Sequence, residues 1–160
     1  MLQLAFLLGL ILITYALTGF WRGASKSFRG RISAAVFFLF TGIGHFFKTA
    51  EMEQMLPSFV PLRTEIIYVT GVLEILGAIG LLVAPFQRIA AWALILFLIG
   101  VLPANIYSAF SHVDFGGHQL GPIYLLMRIP FQLFVIGWIY YFGIRSGNQR
   151  AVKSTNSYAK

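Results

Sequence analysis

Five apolar runs divide this chain, and each is long enough to cross a hydrocarbon core of roughly 30 Å as a helix. They cover residues 2–20, 32–47, 66–84, 89–110 and 122–143. Backbone polar groups in lipid must be satisfied inside the segment, which makes each run a helix. The second run is the shortest, so it needs an untilted crossing or flanking side chains that snorkel. The breaks between runs are polar or carry Pro and Gly, the residues that interrupt helices.

Composition rules out the soluble alternative. The hydrophobic fraction is 58% and the charged fraction 11%, whereas soluble domains carry about 25% charge. A 160-residue globule has too little interior to hide so much apolar surface. The run at residues 2–20 has no Lys or Arg before it and no small-x-small cleavage pattern after it. It reads as a retained membrane helix and not a secretion signal. The chain contains no cysteine, which excludes disulfides, thiolate metal sites and thiol relays.

The distribution of charge sets the expected topology. The first loop holds Arg22, Lys26, Arg29 and Arg31, the third holds Arg88, and the C-terminal stretch holds Arg145, Arg150, Lys153 and Lys160. With five crossings, these nine of the twelve cations share one side. The five acids, Glu51, Glu53, Glu65, Glu74 and Asp114, lie on the other side or within a run. The positive-inside rule puts the basic side in the cytoplasm. The expectation is therefore a multi-pass protein of the inner (plasma) membrane, N-terminus outside and C-terminus cytoplasmic. Residues 1–145 form a single transmembrane domain. Residues 146–160 form a basic tail, expected to be disordered and to rest on the anionic leaflet. The net charge of +7 then belongs to membrane anchoring, and nucleic acid is not an expected partner.

Trp21, Phe86, Trp92, Trp138, Tyr140 and Tyr141 gather at the inner ends of the runs, the depth that amphipathic rings prefer. The outer segment Thr49–Thr64 mixes Glu51, Met52, Glu53, Met55, Pro57, Phe59 and Pro61. It predicts a short interfacial helix and a Pro-broken turn, either a lid over the bundle mouth or a plain connector.

Ionisable and amide groups inside membrane helices are costly, by about 3 kcal/mol for a charge at the centre, and they mark function or paired structure. Helix rise gives their depths. Glu74, nine residues beyond Glu65, lies about 13 Å below the outer surface. Arg128, six beyond Pro122, lies about 9 Å down. Asn105 lies about 8 Å down and His45 about 5 Å. Gln132 is one turn deeper than Arg128. Four helices thus place polar groups in the outer half of the bilayer.

Spacing supports convergence. Thr41 and His45 share a helix face, as do Arg128 and Gln132, and Asn105 and Ser108. Thr70, Gly71, Glu74, Gly77 and Ala78 form a small-residue face that admits close helix approach. Pro103 and Pro130 free the carbonyls of Ile99 and Leu126, which Asn105 or Arg128 is positioned to satisfy. The candidate ligand-binding residues are Thr41, His45, Thr70, Glu74, Asn105, Arg128 and Gln132. The alternative is structural: Glu74 and Arg128 neutralise one another as a buried pair that fixes packing. The loop Ser111–Gly121 offers His112, Asp114 and His118, but their spacing fits no metal motif, and no metal site is assigned. No catalytic residue is assigned either.

Four stretches resemble, in order, the motifs of the DoxX family of bacterial membrane proteins: TGIGHFFKTAEMEQMLPSFVP, TGVLEILGAIGLL, RIAAWALILFLIGVLPANIYSA and MRIPFQLFVIGWIYY. The resemblance runs from about Arg31 to Tyr141. The family's polar positions fall on His45, Glu74, Asn105, Arg128 and Gln132. It implies an all-α, polytopic transmembrane bundle with a four-helix core, to which this chain adds the N-terminal helix at residues 2–20. It also implies quinone-linked respiration or thiosulfate:quinone oxidation for some relatives, and membrane assembly for distant eukaryotic ones. Lack of cysteine argues against thiol or persulfide chemistry by this chain alone.

Three functions follow as expectations. One is an accessory, quinone- or proton-linked subunit of a membrane redox system, with a quinone or lipid bound and no covalent cofactor. The second is a non-catalytic assembly helper or chaperone, whose polar cluster is structural or pairs with another membrane protein. The third is a small-molecule carrier, for which five crossings are few and inverted repeats are not visible, a shortfall that a homo-oligomer could make good. Membrane lipids are partners in every case.

Overall fold

The computed structural model describes residues 2–21 and 23–146. Arg22 and the expected basic tail beyond residue 146 lie outside the described residues. The described residues are mostly helical, with no strand among them. The elements are α1 (Leu2–Leu17, continued by a 3-10 turn Thr18–Phe20), α2 (Lys26–Phe47), α3 (Thr49–Glu53), α4 (Arg63–Leu82), α5 (Gln87–Phe110) and α6 (Leu125–Ile139). A 3-10 segment, His118–Tyr124, leads into α6, and π-helical turns, Tyr140–Arg145, follow it. Five helical stretches are long and apolar enough to cross a membrane, as a multi-pass membrane protein requires.

α2 starts six residues earlier than the apolar run suggests. Ser25 caps its first turn by accepting from the Phe28 amide at 3.2 Å. Lys26, Arg29 and Arg31, expected in a loop, are instead helical, and each of the two arginines has a local acceptor. Arg29 donates to the Tyr15 carbonyl at 2.9 Å with its guanidinium 4.4 Å above the Tyr15 ring. Arg31 donates to Ser27 Oγ at 2.7 Å. Satisfied in this way, they permit 22 residues of helix, about 33 Å, which removes the need for an untilted crossing. α4 likewise begins at Arg63 and stops at Leu82.

Successive long helices run antiparallel. At one end Tyr15 meets Trp138 and Phe142. There Ser27 Oγ donates to the Phe142 carbonyl, and the Trp138 indole donates to the Gly30 carbonyl at 3.0 Å. Trp92 meets Tyr140 at the same end. At the opposite end Phe6 packs on Phe40 and Phe46 stacks on Tyr68. Lys26, Arg29, Arg31, Arg88 and Arg145 belong to the first end, and four of the five acids to the second.

α2 and α4 form the tightest crossing, and glycine is the reason. A Cβ on Gly71 would sit 2.8 Å from the His45 Cβ and 3.0 Å from the Gly42 carbonyl oxygen. The small-residue face of α4 therefore presses on α2 at Gly71 and on Leu94 of α5 at Gly77. Phe38, Ala78, Leu81, Ala91, Leu94, Val135 and Ile139 fill the centre of the bundle. Leu73, Leu76, Leu96, Leu126 and Leu133 point outward, an apolar periphery suited to lipid.

Candidate ligand cavity

The antiparallel order brings halves of five helices and the loop before α6 to one end of the bundle, where they line a cavity of about 730 Å³. Its wall is largely apolar, with Leu4, Phe37, Phe97, Leu98, Phe131 and Val135 among its residues. Thr41, His45, Thr70, Glu74, Asn105, Arg128 and Gln132, all singled out from sequence, line it together.

His45 is held from α4. Its Nδ1 lies 3.0 Å from the Ile67 carbonyl oxygen and 3.1 Å from Thr70 Oγ1. A carbonyl only accepts, so Nδ1 carries a hydrogen. Nε2 then faces Glu74 Oε2 at 3.8 Å. That gap is too long for a hydrogen bond, and Oε2 has no hydrogen-bond partner although Glu74 is only 6% exposed. Thr41 lies within interaction range of the same carboxyl.

Glu74 and Arg128 do not form the contact ion pair considered from sequence. Among the described residues the carboxylates with a basic side chain within 4.0 Å are Glu74, facing His45, and Glu51, facing Lys48. The reason is geometric: the α2–α4 crossing turns Glu74 toward His45, while Arg128 reaches the cavity from α6. Arg128 shares the cavity lining with Glu74, His118 and Tyr124, and its buried Nε has no acceptor.

Asn105, expected to reach a carbonyl freed by proline, turns elsewhere. Asn105 Nδ2 donates back to the Val101 carbonyl at 3.0 Å. Gln132 Nε2 reaches across from α6 to the Leu98 carbonyl at 2.7 Å. Gln132 Oε1 remains buried without a donor.

The sequence reading does not single out the cavity histidine His118. His118, read there as part of an outer loop, is 3% exposed and packs its ring against Tyr124 at 4.5 Å. Its Nδ1 is 2.7 Å from the Phe115 carbonyl oxygen, and its Nε2 has no partner. Gly117 and Gly121, with φ of 103° and 69°, make the bends that carry this histidine inward. The glycines flanking His118 were the available signal. His112 stays exposed, and no cluster of metal-ligating side chains occurs among the described residues.

Lys48 and, from the segment Thr49–Thr64, Met52, Met55 and Leu56 also line the cavity. Lys48 donates to Glu51 at 2.8 Å and holds that carboxyl below the usual carboxylate range. Thr64 hydrogen-bonds Glu53, tying the segment to α4.

Residues 34–142 match a family described as a domain of unknown function, DUF8561. The chain belongs to DUF8561. The matched stretch starts inside α2 and ends in the turns after α6, so it contains the seven polar residues singled out from sequence. α1 lies outside the DUF8561 match. No curated protein and no solved structure matches the chain.

Proposed function

We propose that this DUF8561 protein is a membrane-embedded binding protein that holds the polar head of a lipid-soluble molecule in the cavity. It serves a membrane redox system as an accessory, quinone- or proton-linked subunit. One observation carries the reading: polar side chains from four helices line a single, mostly apolar cavity of about 730 Å³. Small-molecule sites have this character, an apolar wall with a few convergent polar groups. The buried Oε2 of Glu74, Nε2 of His118 and Oε1 of Gln132 await hydrogens, and Nε of Arg128 awaits an acceptor. Leaving such groups unmet costs about 1–3 kcal/mol each, which a ligand with both donors and acceptors offsets.

In this reading α2, α4, α5 and α6 are a DoxX-like four-helix core, and α1 is an added helix beside it. The basic end faces the cytoplasm by the positive-inside rule. The cavity then lies in the outer half of the inner membrane, open to ligands arriving through lipid.

Native mass spectrometry of the detergent-purified protein, with extraction of bound small molecules, tests the proposal. A quinone or lipid is expected on the parent chain. Saturable menaquinone binding should weaken about tenfold in Glu74→Gln, the scale of one charge-assisted hydrogen bond. Undiminished binding by a folded Glu74→Gln protein would count heavily against it.

A further inference from the structure

We infer that Arg128 is an anion subsite, and that the cavity takes an amphiphile whose polar head bears an acidic oxygen. The inference rests on the binding reading above and names the chemical class of its ligand.

The charges lining the cavity make the case. They are Lys48, Glu74 and Arg128, with His45 and His118 as neutral or cationic rings. Lys48 is already matched by Glu51 at 2.8 Å. Glu74 is turned to His45, at 3.8 Å. With Nδ1–H given to Ile67, one further proton between Nε2 and Oε2 leaves the His45–Glu74 pair neutral, whichever atom holds it. Arg128 then has no counter-charge in contact, and its buried Nε has no acceptor of any kind. A guanidinium is always charged and presents its donors in a planar fork that matches carboxylate and phosphate oxygens. An uncompensated cation in an apolar enclosure is costly, and an anionic head against it removes the cost.

Entry through lipid is consistent with the same groups. A carboxylic acid arrives neutral. Its proton leaves to water at the bundle mouth, and its carboxylate stays on Arg128. One O–H bond breaks, one O–H bond forms on water, and total charge is conserved. The reduced, deprotonated form of a quinone offers the same acidic oxygen.

Equilibrium binding to the full-length protein in detergent separates these cases. The probes are oleate against methyl oleate, and menaquinone in reduced against oxidised form. Oleate is expected to bind at least about tenfold tighter than its ester, the scale of a charge-assisted hydrogen bond. Arg128→Gln should remove that preference while methyl oleate still binds, which also certifies the variant's fold. Equal oleate and ester binding, with reduced menaquinone favoured in an Arg128-dependent way, supports the subsite and assigns the anion to a quinol. Binding of uncharged probes with neither preference overturns the anion subsite and leaves the binding reading intact. A preference that survives in Arg128→Gln likewise overturns it. Failure of every probe to saturate removes both.

Discussion

The imidazole of His45 turns its Nδ1 to the Ile67 carbonyl oxygen, 3.0 Å away, and its Nε2 to the Glu74 carboxyl, 3.8 Å away. One contact crosses from α2 to the backbone of α4, and the other crosses to a side chain one further stretch along it. The ring is thereby fixed in tautomer as well as in place, because a carbonyl requires a hydrogen on Nδ1. In protein labelled with ¹⁵N at histidine, the neutral His45 ring should show the Nδ1–H form. A neutral ring protonated only at Nε2 would contradict this geometry.

The α2–α4 crossing leaves no room for a side chain at Gly71. Gly71→Ala puts a Cβ 2.8 Å from the His45 Cβ and 3.0 Å from backbone, so the helices must separate. Overpacking of this kind costs about 1–3 kcal/mol. Gly137→Ala, where a Cβ meets nothing within 4 Å, is the matched control. Denaturation in detergent should show Gly71→Ala destabilised and Gly137→Ala not. Equal stability of the two would contradict the close crossing.

Gln132 joins α6 to α5 through the Leu98 carbonyl at 2.7 Å, one turn before Pro103. Gln132→Leu keeps the bulk and deletes the donor. Interhelical hydrogen bonds in membranes are worth about 1 kcal/mol, and a loss of that size is expected in unfolding measurements. Gln132→Glu in its protonated form should recover part of the loss at low pH.

The far end of the bundle tests whether stability and binding separate. A Cβ on Gly30 would fall 2.1 Å from the Phe142 ring. Gly30→Ala should destabilise the protein by about 1–3 kcal/mol, and adding Phe142→Ala should relieve part of the strain. Neither residue lines the cavity. Ligand affinity in the folded fraction should therefore be unchanged, a comparison read by parallel unfolding and binding titrations.

Orientation is testable without background, because the native chain has no cysteine. Ser58→Cys sits in the connection between α3 and α4, at the end opposite the basic one, and Lys26→Cys begins α2 at the basic end. In intact spheroplasts an impermeant maleimide should label Ser58→Cys, and label Lys26→Cys only after permeabilisation. The reverse pattern would invert the proposed topology.

Particular residues show where sequence reasoning ran out. Helix rise alone gave Glu74, Asn105, His45 and Arg128 comparable depths, because depth depends only on position along a helix. Contact between two such residues depends also on azimuth and tilt, which packing sets. Glu74 consequently faces His45 and not Arg128. Hydropathy places the start of α2 too late because it counts Arg29 and Arg31 as loop-like, while Tyr15 and Ser27 supply their acceptors. His118 was missed because its burial depends on bends at Gly117 and Gly121 that carry no helical period.

The sequence by itself determined the five-helix plan, the separation of basic from acidic ends, and the half of the bundle that holds the polar residues. These follow from hydrophobicity and from the fixed rise of a helix, both local properties. Only the tertiary structure decided that these residues enclose one cavity, that His45 takes Glu74, and that Arg128 has no acceptor for its Nε. Those outcomes depend on how far Gly42 and Gly71 let two helices approach and how α6 turns, and such distances are set between segments.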